Sequence, residues 1–190
     1  MSQSNVVTPP AVVSPPSLRA YAWVTAALVA YGAGVFFVVQ ATSRSGAFRS
    51  PQMIGPLLAM VAEVAVAWLL MVIFRNYAVL SGVSTGQYFE RYVEDPPPDW
   101  VERPARAFNN MMQVPVLFYV VCLLTLVTDS GDAGQLWLAW LFVVVRAFHA
   151  TVYIAWNHLP CRFGSYVAST VTVFVLFARF AMQMADLWLV

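Results

Sequence analysis

Five apolar runs, each long enough to cross a bilayer, constrain this 190-residue chain more than any other feature. A transmembrane helix needs about 20 predominantly apolar residues to span roughly 30 Å of hydrocarbon. Residues 19–41, 53–75, 101–127, 134–157 and 162–188 each meet that length. The expected fold class is therefore all-α, an integral membrane helical bundle forming a single transmembrane domain over residues 18–190. Composition agrees: 61% of residues are hydrophobic and 10% charged, whereas a soluble surface wants about a quarter or more of its positions charged. The lipid bilayer is the first partner this implies. A net charge of +1 gives no electrostatic case for nucleic acid.

Residues 1–17 carry Pro9, Pro10, Pro15 and Pro16 among Ser, Thr and Val, without a positive n-region leading into a short apolar core. They read as a flexible tail rather than a signal peptide. The spans are joined by a short loop with Arg44 and Arg49, a long loop over 76–100 with the run Glu94 to Asp99, an acidic turn at 128–133, and a turn around Pro160. Alternating spans gather Arg19, Arg75, Arg91, Arg103 and Arg162 at one face, against Arg44 and Arg49 at the other. By the positive-inside rule the first face, and with it the N-terminus, is expected to be cytoplasmic. Trp137, Trp140, Trp156 and Trp188 fall near the predicted interfaces, as an aromatic belt would. Cys122 and Cys161 lack disulfide or metal-ligand company and read as packing residues. His158 and Cys161 are two donors without further partners, so no metal site is expected.

Against this apolar background, several spans carry polar groups that are costly in lipid and normally face the bundle interior. Residues three, four or seven apart share a helix face. Arg106, Asn110 and Gln113 thus form one stripe, and Arg146, His149 and Tyr153 another, with Arg162 opening the last span. Asn110 and His149 lie at similar depth, and Tyr153 and Arg162 nearer the mouth. A pocket built from these groups is cationic, walled by aromatics and open to one aqueous face. It suits an anionic, peptide-like solute, because guanidinium groups bind carboxylates bidentately. A thiol held there would have its thiolate favoured by the nearby positive charge. Arg179 and Asp186, seven apart, are the polar residues expected towards the other face, placed to pair or to reach the interface.

The segment Asp99 to Asn110 contains the pattern E-R-x-x-R-A-x-x-N, and Arg146 to Tyr153 reads R-x-x-H-x-x-x-Y, with Arg162 nine residues beyond that tyrosine. In this order the residues from about Arg75 to Tyr166 resemble the MAPEG superfamily, the membrane-associated proteins in eicosanoid and glutathione metabolism. The resemblance implies a homotrimer of four-helix protomers binding glutathione between neighbouring subunits. The MAPEG-like core would cover about 53–188, and the first span would be one extra N-terminal transmembrane helix. By position, Asn110, Gln113, His149, Tyr153, Arg162 and Tyr166 would line the glutathione site, with Arg106 beside them and Arg75 holding a glutathione carboxylate. Arg162 falls where the family places its thiol-activating arginine, and Tyr153 would be a nearby hydrogen-bond donor.

The implied reaction is glutathione transfer to a lipophilic electrophile, or peroxide reduction by the same thiolate, in a bacterial inner membrane. Two positions depart from the family pattern: Gln113 stands where glutathione-using members commonly carry Glu, and Asn109 where the prostaglandin-synthase branch carries Arg. A non-catalytic binding or scaffold protein is the alternative these departures favour. A small transporter is a third reading, against which no inverted repeat or broken pair of helices is visible. Because Gln113 cannot neutralise Arg146, a Glu63–Arg146 ion pair is expected within or between protomers.

Overall fold

In a computed structural model, residues 18–42, 50–92 and 96–188 are described, and they are helical with no strand. The helices are α1 (Leu18–Thr42), α2 (Ile54–Leu80), α3 (Gly86–Arg91), α4 (Asp99–Met111), α5 (Val114–Thr128), α6 (Ala133–Ala155) and α7 (Leu159–Trp188), with a 3-10 turn at Ser50–Met53 before α2. Five helical segments among the described residues are long and apolar enough to cross a membrane: α1, α2, α4 with α5, α6 and α7. The chain is an integral membrane protein. The 1–17 tail, the loop bearing Arg44 and Arg49, and Glu94 and Asp95 of the acidic run lie outside the described residues, as do the side chains of Asp186 and Trp188.

Cross-helix contacts give the topology. Arg75 on α2 meets Glu102 on α4, Arg146 on α6 meets Asn110 on α4, and His149 meets Ser165 on α7, so successive spans run antiparallel. The first and last spans run side by side in the same direction: Tyr31 bonds Thr172, and Arg179 Nη1 donates to the Val39 carbonyl at 3.1 Å. A Cβ on Gly164 would sit 2.8 Å from Val24 Cγ1, so the missing side chain lets α1 approach α7 closely. The apolar core lies between α2, α5, α6 and α7, where Phe118 and Phe142 stack with centroids 4.5 Å apart.

The third span is not one helix. It stops at Met111 and restarts at Val114, with Met112 and Gln113 between them and Gln113 at φ −102°, ψ −89°. Pro115 explains the interruption: it has no N–H to offer the carbonyl four residues back, its ring clashes there, and it disfavours helical geometry in the residue before it. The span expected over 101–127 is present, as two helices in series. The second span also runs to Leu80, longer than expected, and the long loop contains the short helix α3.

The end of the bundle where α5 meets α6 holds a polar cluster that the apolar pattern did not lead one to expect. Asp132 caps α6 through a reciprocal capping box with Gln135, its Oδ1 accepting from the Gln135 N–H at 2.7 Å. Its Oδ2 accepts from Arg179 at 2.6 Å and from Gln183 at 2.8 Å. Among the described side chains Arg179 pairs with Asp132; the side chain of Asp186, the other partner expected from the sequence, lies outside them.

Candidate functional site

At the opposite end of the bundle, a cleft of about 280 Å³ is lined by Asn110, Gln113, His149, Tyr153, Leu159, Arg162, Phe163 and Tyr166. Six of the eight residues singled out from the sequence therefore meet on one wall system, contributed by α4 and its broken end, α6 and α7. The volume is near the lower limit of small-molecule pockets, roughly 300 Å³.

Each side chain is held by a local cause. His149 is buried, and its Nδ1 lies 3.0 Å from both the Arg162 carbonyl and Ser165 Oγ. A carbonyl only accepts, so Nδ1 carries the hydrogen in the neutral ring and Nε2 keeps the lone pair. That Nε2 is buried and takes no hydrogen bond, an unused acceptor. Arg162 sits in the first turn of α7; its Nη1 donates to Asn157 Oδ1 at 2.5 Å, and its Cζ lies 4.3 Å from the Tyr153 ring centroid, a cation–π contact. Asn157 takes a left-handed conformation, φ 50°, that ends α6 and that asparagine tolerates better than most residues. Sequence reasoning passed over Asn157; an asparagine just past a helix end and shortly before Pro160 was the available signal.

Asn110 is fixed from behind. Arg146, fully buried, donates from Nη2 to the Asn110 carbonyl at 3.0 Å and to its side-chain Oδ1 at 2.9 Å. With its oxygen occupied, the Asn110 amide nitrogen is left to donate to a ligand. The Asn110 carbonyl also accepts from the Gln113 N–H at 3.3 Å, a tightened last turn of α4, and its second lone pair takes Arg146. The expected Glu63–Arg146 ion pair is corrected within the protomer: no nitrogen–oxygen pair between them comes within 4.0 Å. Arg146 Nε and Nη1 and Glu63 Oε2 are all buried without a hydrogen bond. Asn110 took the place expected for Glu63 because a broken helix offers both a carbonyl and a side-chain oxygen to one guanidinium.

Two predicted residues stand apart from the cleft. Arg106 reaches back along its own helix face to Asp99, which also receives Arg103 Nε at 2.5 Å. Arg106 and Asp99 are nearly half exposed, so this is a headgroup-level network in which long basic side chains turn towards water. Arg75 pairs with Glu102 at 3.3 Å, its guanidinium carbon 5.1 Å from the Phe89 ring centroid on α3. Within one protomer it joins α2 to α4 and does not line the cleft.

The MAPEG family model matches residues 53–182. The chain belongs to the MAPEG family. The match begins just ahead of α2 and runs into α7, so the MAPEG core comprises the last four spans and α1 lies outside it, as the extra first helix should. Neither the curated proteins nor the solved structures contain a match to this MAPEG chain.

Proposed function

We propose that the cleft between α4, α6 and α7 binds glutathione or a similar thiol peptide and directs its thiolate at lipophilic electrophiles. The supporting observation is the convergence of Asn110, Gln113, His149, Tyr153, Arg162 and Tyr166 in one cleft, although they come from three separate helices. In this reading Arg162 stabilises the thiolate by its charge and Tyr153, stacked beneath it, donates a hydrogen bond. Asn110 donates to the peptide through its amide nitrogen, and His149 Nε2 accepts from a peptide N–H. The sulfur attacks an electrophilic carbon, the S–C bond forms, and the leaving group departs with its electron pair. With a hydroperoxide the thiolate attacks the terminal oxygen, the O–O bond breaks to give the alcohol, and a second thiol converts the sulfenic acid to disulfide and water.

The working unit is a homotrimer with its sites between subunits. Arg75, engaged at the α2–α4 junction of its own protomer, serves the site of a neighbouring copy by holding a glutathione carboxylate. The membrane is a bacterial inner membrane with the N-terminus and the cleft on the cytoplasmic side, the side favoured by the arginine distribution. A non-catalytic binding protein is the second reading, favoured by Gln113, which brings no charge to the cleft.

Thermal unfolding of the detergent-solubilised chain with millimolar glutathione tests binding, since a ligand of the folded state raises apparent stability by about 2.7 kcal/mol at a hundred times its Kd. Conjugation of an activated aryl chloride then separates enzyme from binding protein. Stabilisation that disappears in Arg162→Ala supports the site. No stabilisation and no conjugation refute it, and stabilisation without conjugation moves the conclusion to the second reading.

A further inference from the structure

A second and larger cleft, about 570 Å³, lies between α2 and α6, separate from the thiol cleft. Its walls are mostly small and apolar, with Ala59 and Ala62 facing Ala147 and Ala150, and its polar side chains are Glu63 and Thr151. The Thr151 hydroxyl already donates to the Ala147 carbonyl at 2.8 Å. Glu63 is different: Oε2 is turned away from all solvent, neither oxygen accepts a hydrogen bond, and Oε1 is the oxygen left to the cleft. Arg146 does not bond this carboxylate, no nitrogen–oxygen pair between them falling within 4.0 Å.

We infer that this cleft is a binding site for a lipophile carrying a single hydroxyl, such as a long-chain alcohol, with the hydroxyl donating to Glu63 and the hydrocarbon along the alanine walls. Alanines on both facing helices clear a slot that an acyl-width chain fills, and a polar acceptor left bare in such a slot is costly until a donor reaches it. A neutral donor fits better than an ion. A bound ammonium would bring a second cation into an apolar cleft whose α6 wall already carries the buried Arg146 guanidinium, and a bound carboxylate would meet Glu63 with like charge. The reading does not depend on glutathione binding.

The test uses the full chain in phosphatidylcholine nanodiscs and a diazirine analogue of hexadecanol, with labelled peptides mapped by mass spectrometry. Label is expected on the facing stretches of α2 and α6 in excess of the exposed faces of α1 and α7. Unlabelled hexadecanol should compete; hexadecane and palmitate should not. Glu63→Leu should weaken competition by hexadecanol roughly fivefold, the worth of one net hydrogen bond, while Glu63→Gln, which keeps an acceptor, should retain it. Ala150→Phe should fill the slot and abolish labelling; if that variant does not fold, the Glu63 pair decides. Label spread evenly over all lipid-facing helices, competition by hexadecane equal to hexadecanol, or indifference to Glu63→Leu would each overturn the proposal. Stronger competition by hexadecylamine would overturn the hydroxyl class. Absence of label on α2 and α6, as when a second copy covers the cleft, would overturn the site itself.

Discussion

Replacing Asp132 by asparagine isolates one charge without removing a helix cap. Asp132 Oδ1 caps α6, a role asparagine fills as well as aspartate, while Oδ2 takes Arg179 Nη2 at 2.6 Å and Gln183 Nε2 at 2.8 Å. If the asparagine oxygen keeps the cap, its NH2 group turns towards two other donors. The Arg179 side chain is 6% exposed and that of Asp132 22%, so the cation loses the Asp132 charge in a largely water-free setting. Breaking a buried pair by removing one partner costs about 3–5 kcal/mol; with Asp132 partly exposed, about 3 kcal/mol is expected. Arg179→Met should cost less, because Asp132 remains capped into α6 and bonded to Gln183. The double variant should fall short of the sum of the single ones by about 1.5 kcal/mol, within the range for residues in direct contact. Reversible unfolding in mixed micelles with increasing dodecyl sulfate reads all three differences. Single effects that add to within about 0.5 kcal/mol, the behaviour of independent sites, would refute the pair as the device that closes this end of the bundle.

Other outcomes follow from the same contacts. Gly134→Ala would drive a Cβ into Thr42 Oγ1 and place it 2.7 Å from Arg179 Nη2, so unfolding should show a loss of about 1–3 kcal/mol from overpacking. Asn157→Gly keeps the left-handed turn but releases Arg162; the fold should persist while the glutathione-dependent rise in melting temperature shrinks. Arg106→Ala removes a surface pair worth about 0.2–1 kcal/mol and should leave that rise intact, whereas an equal loss of ligand stabilisation would return Arg106 to the cleft.

Periodicity revealed what depends on one helix alone. His149 and Tyr153 share a face at i and i+4, and Asn110 and Gln113 at i and i+3, so their turn towards a common cleft was legible before any contact was known. What escaped depended on reach and on backbone. Arg106 shares a face with Asn110, yet its long side chain runs two turns back to Asp99, and spacing carries no information about that direction. Arg75 gave no sign that Glu102 and Phe89 would occupy it. The partner of Arg146 is partly the main-chain carbonyl of Asn110 in the last turn of α4; Pro115 was the visible cue to the helix break, but a proline in an apolar run does not say which carbonyl a guanidinium on another helix will reach. Asp132 and Arg179 stand 47 residues apart, and only the antiparallel return of α7 along α6 brings them together.

The parallel pairing of α1 with α7 alters which side of the bilayer the start of the helical bundle addresses. The family core alone would begin and finish on the side of the Asp132 cluster. Adding one span carries the start of the helical bundle across to the side where Tyr153 and Arg162 open, while the finish stays behind. A fluorophore on the first turn of α1 would therefore report on the side where the cleft opens, and one at the far end of α7 would be screened from it by the whole thickness of the membrane.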